Sequence, residues 1–418
     1  MRVLIPTDAF PPVCGGSGWS TYELARGLRT LGHEITIVQP RADAIVMPTE
    51  TEYDGFTVRQ FPVGAPKIPY VRNYYKSERL TYVLGHYLAD LLETDRYDVV
   101  HAQHVMTALP SISAAKPMGV PVVVTVRDYW PVCYWSDLLH TKDGLELCPE
   151  CTVGNMTRCI RPRAGAAWPL ALPLIPYMRA NLTRKREGLA RADAVVAVSH
   201  QIGRDLTQRA PELARTRVEI IPNPVNVAEL RSAGAQPPAE LHGAYALYLG
   251  KLAPNKGTGY LIPAITKAQL DWPLVIVGDG PERPAIERAA RRSGRRVEFH
   301  GWLPKDEAAR WLAHASMLIF PSRGPESLSR VLIEASALGV PIAAMVTGGT
   351  RDIIEPDVTG LLSSSPEGLA SDIRRLRHDD ALRARIGAAA RRRIEAEFDA
   401  PNVVARVERL YRELVTRR

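Results

Sequence analysis

The sequence predicts an α/β protein built from two parallel-sheet domains that face each other across a cleft. Three observations point there. The chain has 418 residues, too many for one hydrophobic core. Short apolar strands alternate with amphipathic helices, the pattern of a parallel sheet covered on both faces. That alternation stops and then restarts midway. A composition 46% hydrophobic and 23% charged is that of an ordinary globular chain and excludes disorder as the main state.

In chain order, MRVLIPTDAF opens as a buried strand and CGGSG follows as a turn. WSTYELARGLRTLG is then an amphipathic helix closed by Gly32 before the strand HEITIVQ, a β-α-β unit. Strands recur at 98–103, 121–126, 194–199 and 218–223, completing a first domain over 1–224. The polar stretch 225–239 lacks strong periodicity, carries Pro237 and Pro238, and is read as the linker. A second domain, 240–399, has strands in AYALYLGKL, PLVIVGDGP, VEFHGW, MLIFPS, VPIAAM and TGLLSS, each bounded by a Gly, Ser or Pro loop. The last stretch, about 400–418, is apolar at Val403, Val404, Val407, Leu410, Tyr411 and Leu414. It reads as a helix that packs back on the first domain.

A net charge of +8 suits an anionic substrate or an anionic lipid surface, and charge alone does not separate these. The longest apolar run, 164–178, contains three prolines and is too short to span a bilayer. With Trp168 and Tyr177 ahead of Arg179, Arg184, Lys185 and Arg186, it reads either as domain packing or as a stretch lying in lipid headgroups. The basic, aromatic stretch 70–88 adds to the second reading. The apolar start ends at Asp8, short of a signal peptide, so a cytoplasmic location is expected, with peripheral contact at the inner membrane face in the second reading. No nucleic-acid motif is present.

The chemistry gathers at strand ends, where parallel sheets bind ligands. PESLSRVLIEASALGVP, 325–341, places Glu326 just before a helical run and Glu334 within it. The run is so apolar that the helix is expected to be buried nearly all round, and a buried carboxylate there needs partners. Glu326, Ser327, Leu328 and Ser329 lie at its start, where free N–H groups and the helix dipole favour an anion such as a diphosphate. Lys251 and Lys256, in GKLAPNKG, offer two ammonium groups at another strand end. They are read as neutralising a phosphate leaving group, or singly as solvated surface charges. Gly15 and Gly16 in CGGSG allow close backbone approach to a ligand, with a plain turn as the alternative.

GKLAPNKG, VGDGP, FHGWLP, FPSRGPESLSRVLIEASALGVPI and GLL follow AVS, IIPNPVN and an early GGSG. In this order they resemble the retaining GT4 glycosyltransferases of the GT-B fold over nearly the full chain. The resemblance implies a nucleotide diphosphate-sugar donor (UDP, GDP or ADP), with Glu326 holding sugar hydroxyls and Glu334 holding the ribose. It further implies that Lys251 and Lys256 bind the diphosphate and that backbone near Gly301 and Trp302 holds the base. Front-face attack, with the leaving phosphate helping to deprotonate the acceptor, needs no catalytic metal and no protein nucleophile.

The chain departs from the family pattern at VTVRDYW, where Arg127 precedes Asp128 in the place of a usual His-Asp. Arg127 is read as binding a phosphate or acidic acceptor, or as pairing with Asp128. His104 is read as the missing group or as a satisfied structural histidine. Asn226 replaces a usual aspartate, and lysine at 251 replaces a usual arginine. Cys133, Cys148, Cys151 and Cys159 cluster, with CxxC at 148–151. A structural zinc site is one reading, cysteines without metal another, a disulfide the third.

The function expected is therefore transfer of a hexose-type sugar to a glycolipid, polysaccharide precursor or small-molecule acceptor held by the first domain, in work such as cell-envelope polysaccharide synthesis. A sugar-nucleotide epimerase and a non-catalytic nucleotide-sugar binding protein are the alternatives. A dinucleotide dehydrogenase is disfavoured by the missing GxGxxG.

Overall fold

The computed structural model describes residues 1–41, 47–66, 68, 71–140, 147–238 and 243–417. The chain divides into two compact units: 1–137 with 170–224 and 400–418, and 138–169 with 225–399. Residues 138–169 thus cluster with the second unit, whereas the sequence reading placed them in the first. Ala239 and Glu240, the expected end of the linker and start of the second domain, lie outside the described residues.

The first unit is built on eight strands: β1 Arg2–Pro6, β2 Glu34–Arg41, β3 Thr49–Tyr53, β4 Phe56–Pro62, β5 Val99–Ala102, β6 Val122–Val126, β7 Ala194–Ala197 and β8 Val218–Ile220. Their order is β3-β4-β2-β1-β5-β6-β7-β8. All pairs are parallel except β3 with β4. That hairpin is absent from the sequence reading. Its turn is Asp54-Gly55, both at positive φ, and an Asp-Gly pair between alternating residues is the local signal for it. The central strands are apolar on both faces because helices cover both, and β5, β6 and β7 are buried throughout.

The second sheet contains β9 Ala246–Leu249, β10 Leu274–Val277, β11 Val297–Gly301, β12 Met317–Phe320, β13 Ile342–Met345 and β14 Leu361–Ser363. Its order is β11-β10-β9-β12-β13-β14, parallel throughout. The stretch read as an aperiodic linker forms a helix, Val227–Ala233, within this unit. Asn226 caps it, its Oδ1 accepting from Glu229 N at 2.9 Å. At seven residues the helix is too short for its periodicity to stand out.

The chain ends in the helix Ala400–Thr416, whose Val403, Val404, Val407, Leu410, Tyr411 and Leu414 join Val3, Ile5, Leu24 and Leu28 in one buried cluster of the first unit. Burying six apolar side chains at about 1.5–3 kcal/mol each makes this helix part of the first core. Among the described residues no helix is long and apolar enough to cross a membrane.

Candidate functional site

In the second unit the loop after β12 carries PSRGPESLS into the helix Arg330–Leu338. The helix begins at Arg330, with Ser329 as its N-cap, so Glu326, Ser327 and Leu328 lie in the loop before it and not in its first turn. Ser329 is buried and its side chain makes no capping bond, which leaves first-turn N–H groups for another acceptor. Gly339 closes the helix in the left-handed conformation.

Glu326 sits among fixed partners. Its Oε1 accepts from Lys256 Nζ at 2.6 Å and from Ser322 Oγ at 2.7 Å. The carboxylate side chain is 13% exposed and the lysine 34%. Two glycines permit this arrangement. Gly257, at φ +64, lies so close to Pro321 that a Cβ would stand 1.9 Å from its carbonyl oxygen. Gly348, at φ +46, lies equally close to the Glu326 carbonyl, and Gly349 N donates to that oxygen at 2.7 Å. Thr347 Oγ1 donates to Gly324 O at 2.6 Å. The loop after β13 thereby fixes the backbone that carries Glu326. Sequence reasoning singled out neither Ser322 nor 347–349; the Gly-Gly pair just after a buried strand was the available signal.

Glu334 corrects the expectation of a helix buried nearly all round. Arg330, Val331, Glu334 and Leu338 form a half-buried face. On it Arg330 Nε donates to Glu334 Oε1 at 2.7 Å, with side chains 16% and 17% exposed. The partner demanded by the carboxylate is present within its own helix.

Lys251 is exposed, at the end of β9, and its carbonyl accepts from Tyr248 Oη at 2.8 Å. The loops after β9, β10 and β11 are tied edge to edge: Gly250 N donates to Val277 O, Leu252 N to Asp279 O and Gly278 N to Gly301 O. Gly301 thus adjoins the loop group that carries Lys251. Trp302, next to it, is 78% exposed. A large aromatic ring left in solvent at a strand end is a ready platform for a flat ligand group.

In the first unit, Gly15 and Gly16 are exposed at the start of the helix Gly16–Thr30, with Gly15 as a cap lacking any side chain. Arg127 is a correction. It is buried, with Nε donating to Asn223 Oδ1 at 2.9 Å and its other nitrogens to Gln103 O and Oε1, both at 2.6 Å. Burial lowers its pKa to about 9, which leaves it charged at neutral pH. Buried against Gln103 and Asn223, it exposes no fork to a phosphate or acidic acceptor, and among the described residues it makes no ion pair with Asp128.

Asp128 instead accepts from Trp130 N at 2.8 Å and lies 3.5 Å from His104 Nε2. On the other side of the ring Asp8 Oδ2 is 3.3 Å from Nδ1. The ends of β1, β5 and β6 therefore gather Asp8, His104 and Asp128. Burial works against a charged His104, but Asp8, and then Asp128, outweigh it and raise the pKa above the ordinary 6.5. Burial raises the pKa of Asp128, opposed by His104 and the Trp130 N–H.

Among the described residues no group of three or more His, Cys, Asp or Glu is placed to hold an ion. Cys148 Sγ donates to Glu150 O and Cys159 Sγ to Met156 O, both at 3.2 Å.

The model of Glycosyltransferase Family 4 matches residues 14–229, more than half of the chain. The chain belongs to glycosyltransferase family 4. A second model, Glycosyl transferases group 1, matches 243–379. The glycosyltransferase is 26% identical to glycogen synthase of Mycobacterium tuberculosis (strain ATCC 25618 / H37Rv), covering 98% of this chain and 94% of that one. It is 28% identical to the GDP-mannose-dependent alpha-mannosyltransferase of Mycolicibacterium smegmatis, covering 95% and 93%. Among solved structures it resembles Anabaena Alr3699/HepE in complex with UDP-glucose, with a TM-score of 0.67 at 17% identity over 99% of this chain and 100% of that one. The fold is GT-B, two Rossmann-like parallel-sheet units, and the protein is a transferase.

Proposed function

We propose that the enzyme moves a hexose, with retention, from a nucleoside diphosphate sugar held by the second unit to an acceptor held by the first. The observation that carries this reading is Glu326, fixed by Lys256 and Ser322 four residues before the Arg330–Glu334 pair. Two anchored carboxylates, one of them bonded to a lysine, suit a ligand that is rich in hydroxyls and anionic at once. The GDP-mannose-dependent relative and the UDP-glucose complex of a structural neighbour support a donor of that class.

In this reading Glu326 accepts bonds from sugar hydroxyls while Lys256 holds the carboxylate in place. Lys251 and Lys256 face the diphosphate, and N–H groups of the Ser327–Ser329 segment and the first helical turn take its oxygens. Glu334, with Arg330 on Oε1, receives the ribose hydroxyls on Oε2, and the base lies by Gly301 and Trp302. The bond from C1 to the diphosphate oxygen breaks as the acceptor oxygen bonds C1 on the same face, and its proton passes to the departing phosphate. The lysines meet the charge that grows there. Asp128 with His104 orients the acceptor hydroxyl. Work at the inner membrane face, on cell-envelope glycans, fits Leu170, 83% exposed in the stretch that leads to Arg179.

A thermal-shift series with UDP, GDP, ADP and their sugars tests the donor class, because a ligand of the folded state raises the midpoint by mass action. The expected result is a rise with one nucleotide family, lost in Glu334→Ala. No rise with any of them removes the proposal. Turnover of the donor without acceptor would instead favour epimerisation.

A further inference from the structure

Helices of the first unit line an open cavity of about 450 Å³ that none of the roles above uses. It lies between the start of the helix Leu80–Thr94, the middle of Val105–Ala115 and the last turns of Ile175–Leu189. Its lining sets Leu109 and Ile112 among polar and charged side chains, and its size falls in the range of about 300–1,000 Å³ usual for small-molecule sites.

Lys185, on the lining, sets this cavity apart. It is half-buried, yet among the described residues no carboxylate lies within ion-pair distance of it. The Tyr134 ring lies 5.9 Å from its Nζ to the centroid. The carboxylate most available to it, Glu78, is already held by Tyr177 Oη at 3.0 Å, Asn181 Nδ2 at 2.9 Å and Arg184 at 2.7 Å. Burial accordingly pushes the Lys185 pKa down, with Glu78, Asp128 and Cys133 pulling the other way. Arg184 and Arg191 also line the cavity, so three cations there stand against Glu78 and Glu187. A sheltered ammonium without a counter-ion is unfavourable unless an anion joins it.

We propose that this cavity seats the acceptor, an amphiphile whose phosphate-type head pairs with Lys185 while its apolar part lies along Leu109 and Ile112. The proposal rests on the reading of the protein as a transferase whose first unit holds the acceptor.

Hexyl phosphate, inorganic phosphate and 1-hexanol serve as probes, titrated calorimetrically into the full chain. Hexyl phosphate is expected to bind about tenfold or more tightly than either fragment, and Lys185→Met to remove about tenfold of that affinity. Lys185→Arg should keep most of it. Ile112→Trp, which fills the apolar part, should abolish the advantage of the hexyl chain. Equal affinity for hexyl and inorganic phosphate, or an unchanged affinity in Lys185→Met, overturns the proposal. Flotation with phosphatidylcholine vesicles, with and without phosphatidic acid, separates the sources. Lys185-dependent flotation assigns a lipid head, and hexyl phosphate binding without flotation assigns a soluble phosphate ester. Nucleotide binding is measured on the same samples: its loss indicts the donor reading, whereas its persistence without hexyl phosphate binding indicts the acceptor site alone.

Discussion

Replacing Glu334 by alanine separates two roles that differ in magnitude. If the carboxylate served only its helix, the variant would lose the bond to Arg330 four residues earlier. Such pairs contribute about 0.3–0.5 kcal/mol on exposed helices. With side chains 16% and 17% exposed, this one belongs at or somewhat above the top of that range. The midpoint of thermal unfolding would then fall by about 1–3 °C for a unit of this size, and nucleotide affinity would not change. If Glu334 grips the ribose, a charged hydrogen bond of about 1.5–3 kcal/mol is lost on binding. Because Arg330 occupies Oε1, one such bond is the safer count, about 2 kcal/mol or roughly thirtyfold in Kd. Calorimetry with the nucleoside diphosphate that stabilises the parent protein reads this directly. Arg330→Met is the control: it breaks the same pair but leaves the carboxylate, and should weaken binding by only about threefold. Equal Kd values for parent and Glu334→Ala would refute the ribose assignment and leave the helix pair as the whole account.

Other consequences concern scaffold and pH. Arg127→Met strands the Gln103 and Asn223 acceptors in a buried site and should destabilise the first unit by about 3 kcal/mol or more, measured by urea unfolding, while nucleotide affinity stays within about twofold. Gly348→Ala puts a Cβ against the Glu326 carbonyl at positive φ. It should cost about 1–3 kcal/mol of strain and lower the transfer rate more than nucleotide affinity, seen by comparing kcat with the Kd for nucleotide. The His104 pKa is raised in the folded state, so the stability it contributes is fully present below the unfolded value near 6.5 and is lost as pH rises through the folded value. Urea midpoints compared between parent and His104→Gln across pH 5 to 9 should converge toward the alkaline end. A difference that grows there instead would reverse the sign.

The alternation of buried strands with amphipathic helices was readable because both faces of each central strand are covered, which makes VVVTV, LVIV and MLIF apolar runs whatever lies around them. The β3–β4 hairpin was also readable through Asp54-Gly55, but its polar strands lack the apolar run that drew attention to the others. The Val227–Ala233 helix was not, because seven residues capped by Asn226 hardly complete two turns. At the candidate site, the residue types at 251, 256, 326 and 334 were legible from local pattern. Their partners were legible only in part: Arg330 stands four residues from Glu334, but Lys256 reaches Glu326 across 70 positions. Arg127 illustrates the opposite error. Sequence shows a cation at a strand end, and only its burial against Gln103 and Asn223 turns it from a ligand contact into a strut.

By itself the sequence determined the two wound sheets, the order of the strand-end loops and the chemical types they carry, because periodicity and turn chemistry act over a few residues. Tertiary structure decided which of those groups are committed and which remain for a ligand. It gave Arg127 to Gln103 and Asn223, gave Glu326 to Lys256 and Ser322, set His104 between Asp8 and Asp128, and left Lys185 half-buried with no carboxylate at ion-pair distance among the described residues. Burial and pairing depend on distances between residues tens to hundreds of positions apart, and those distances exist only once the chain has folded.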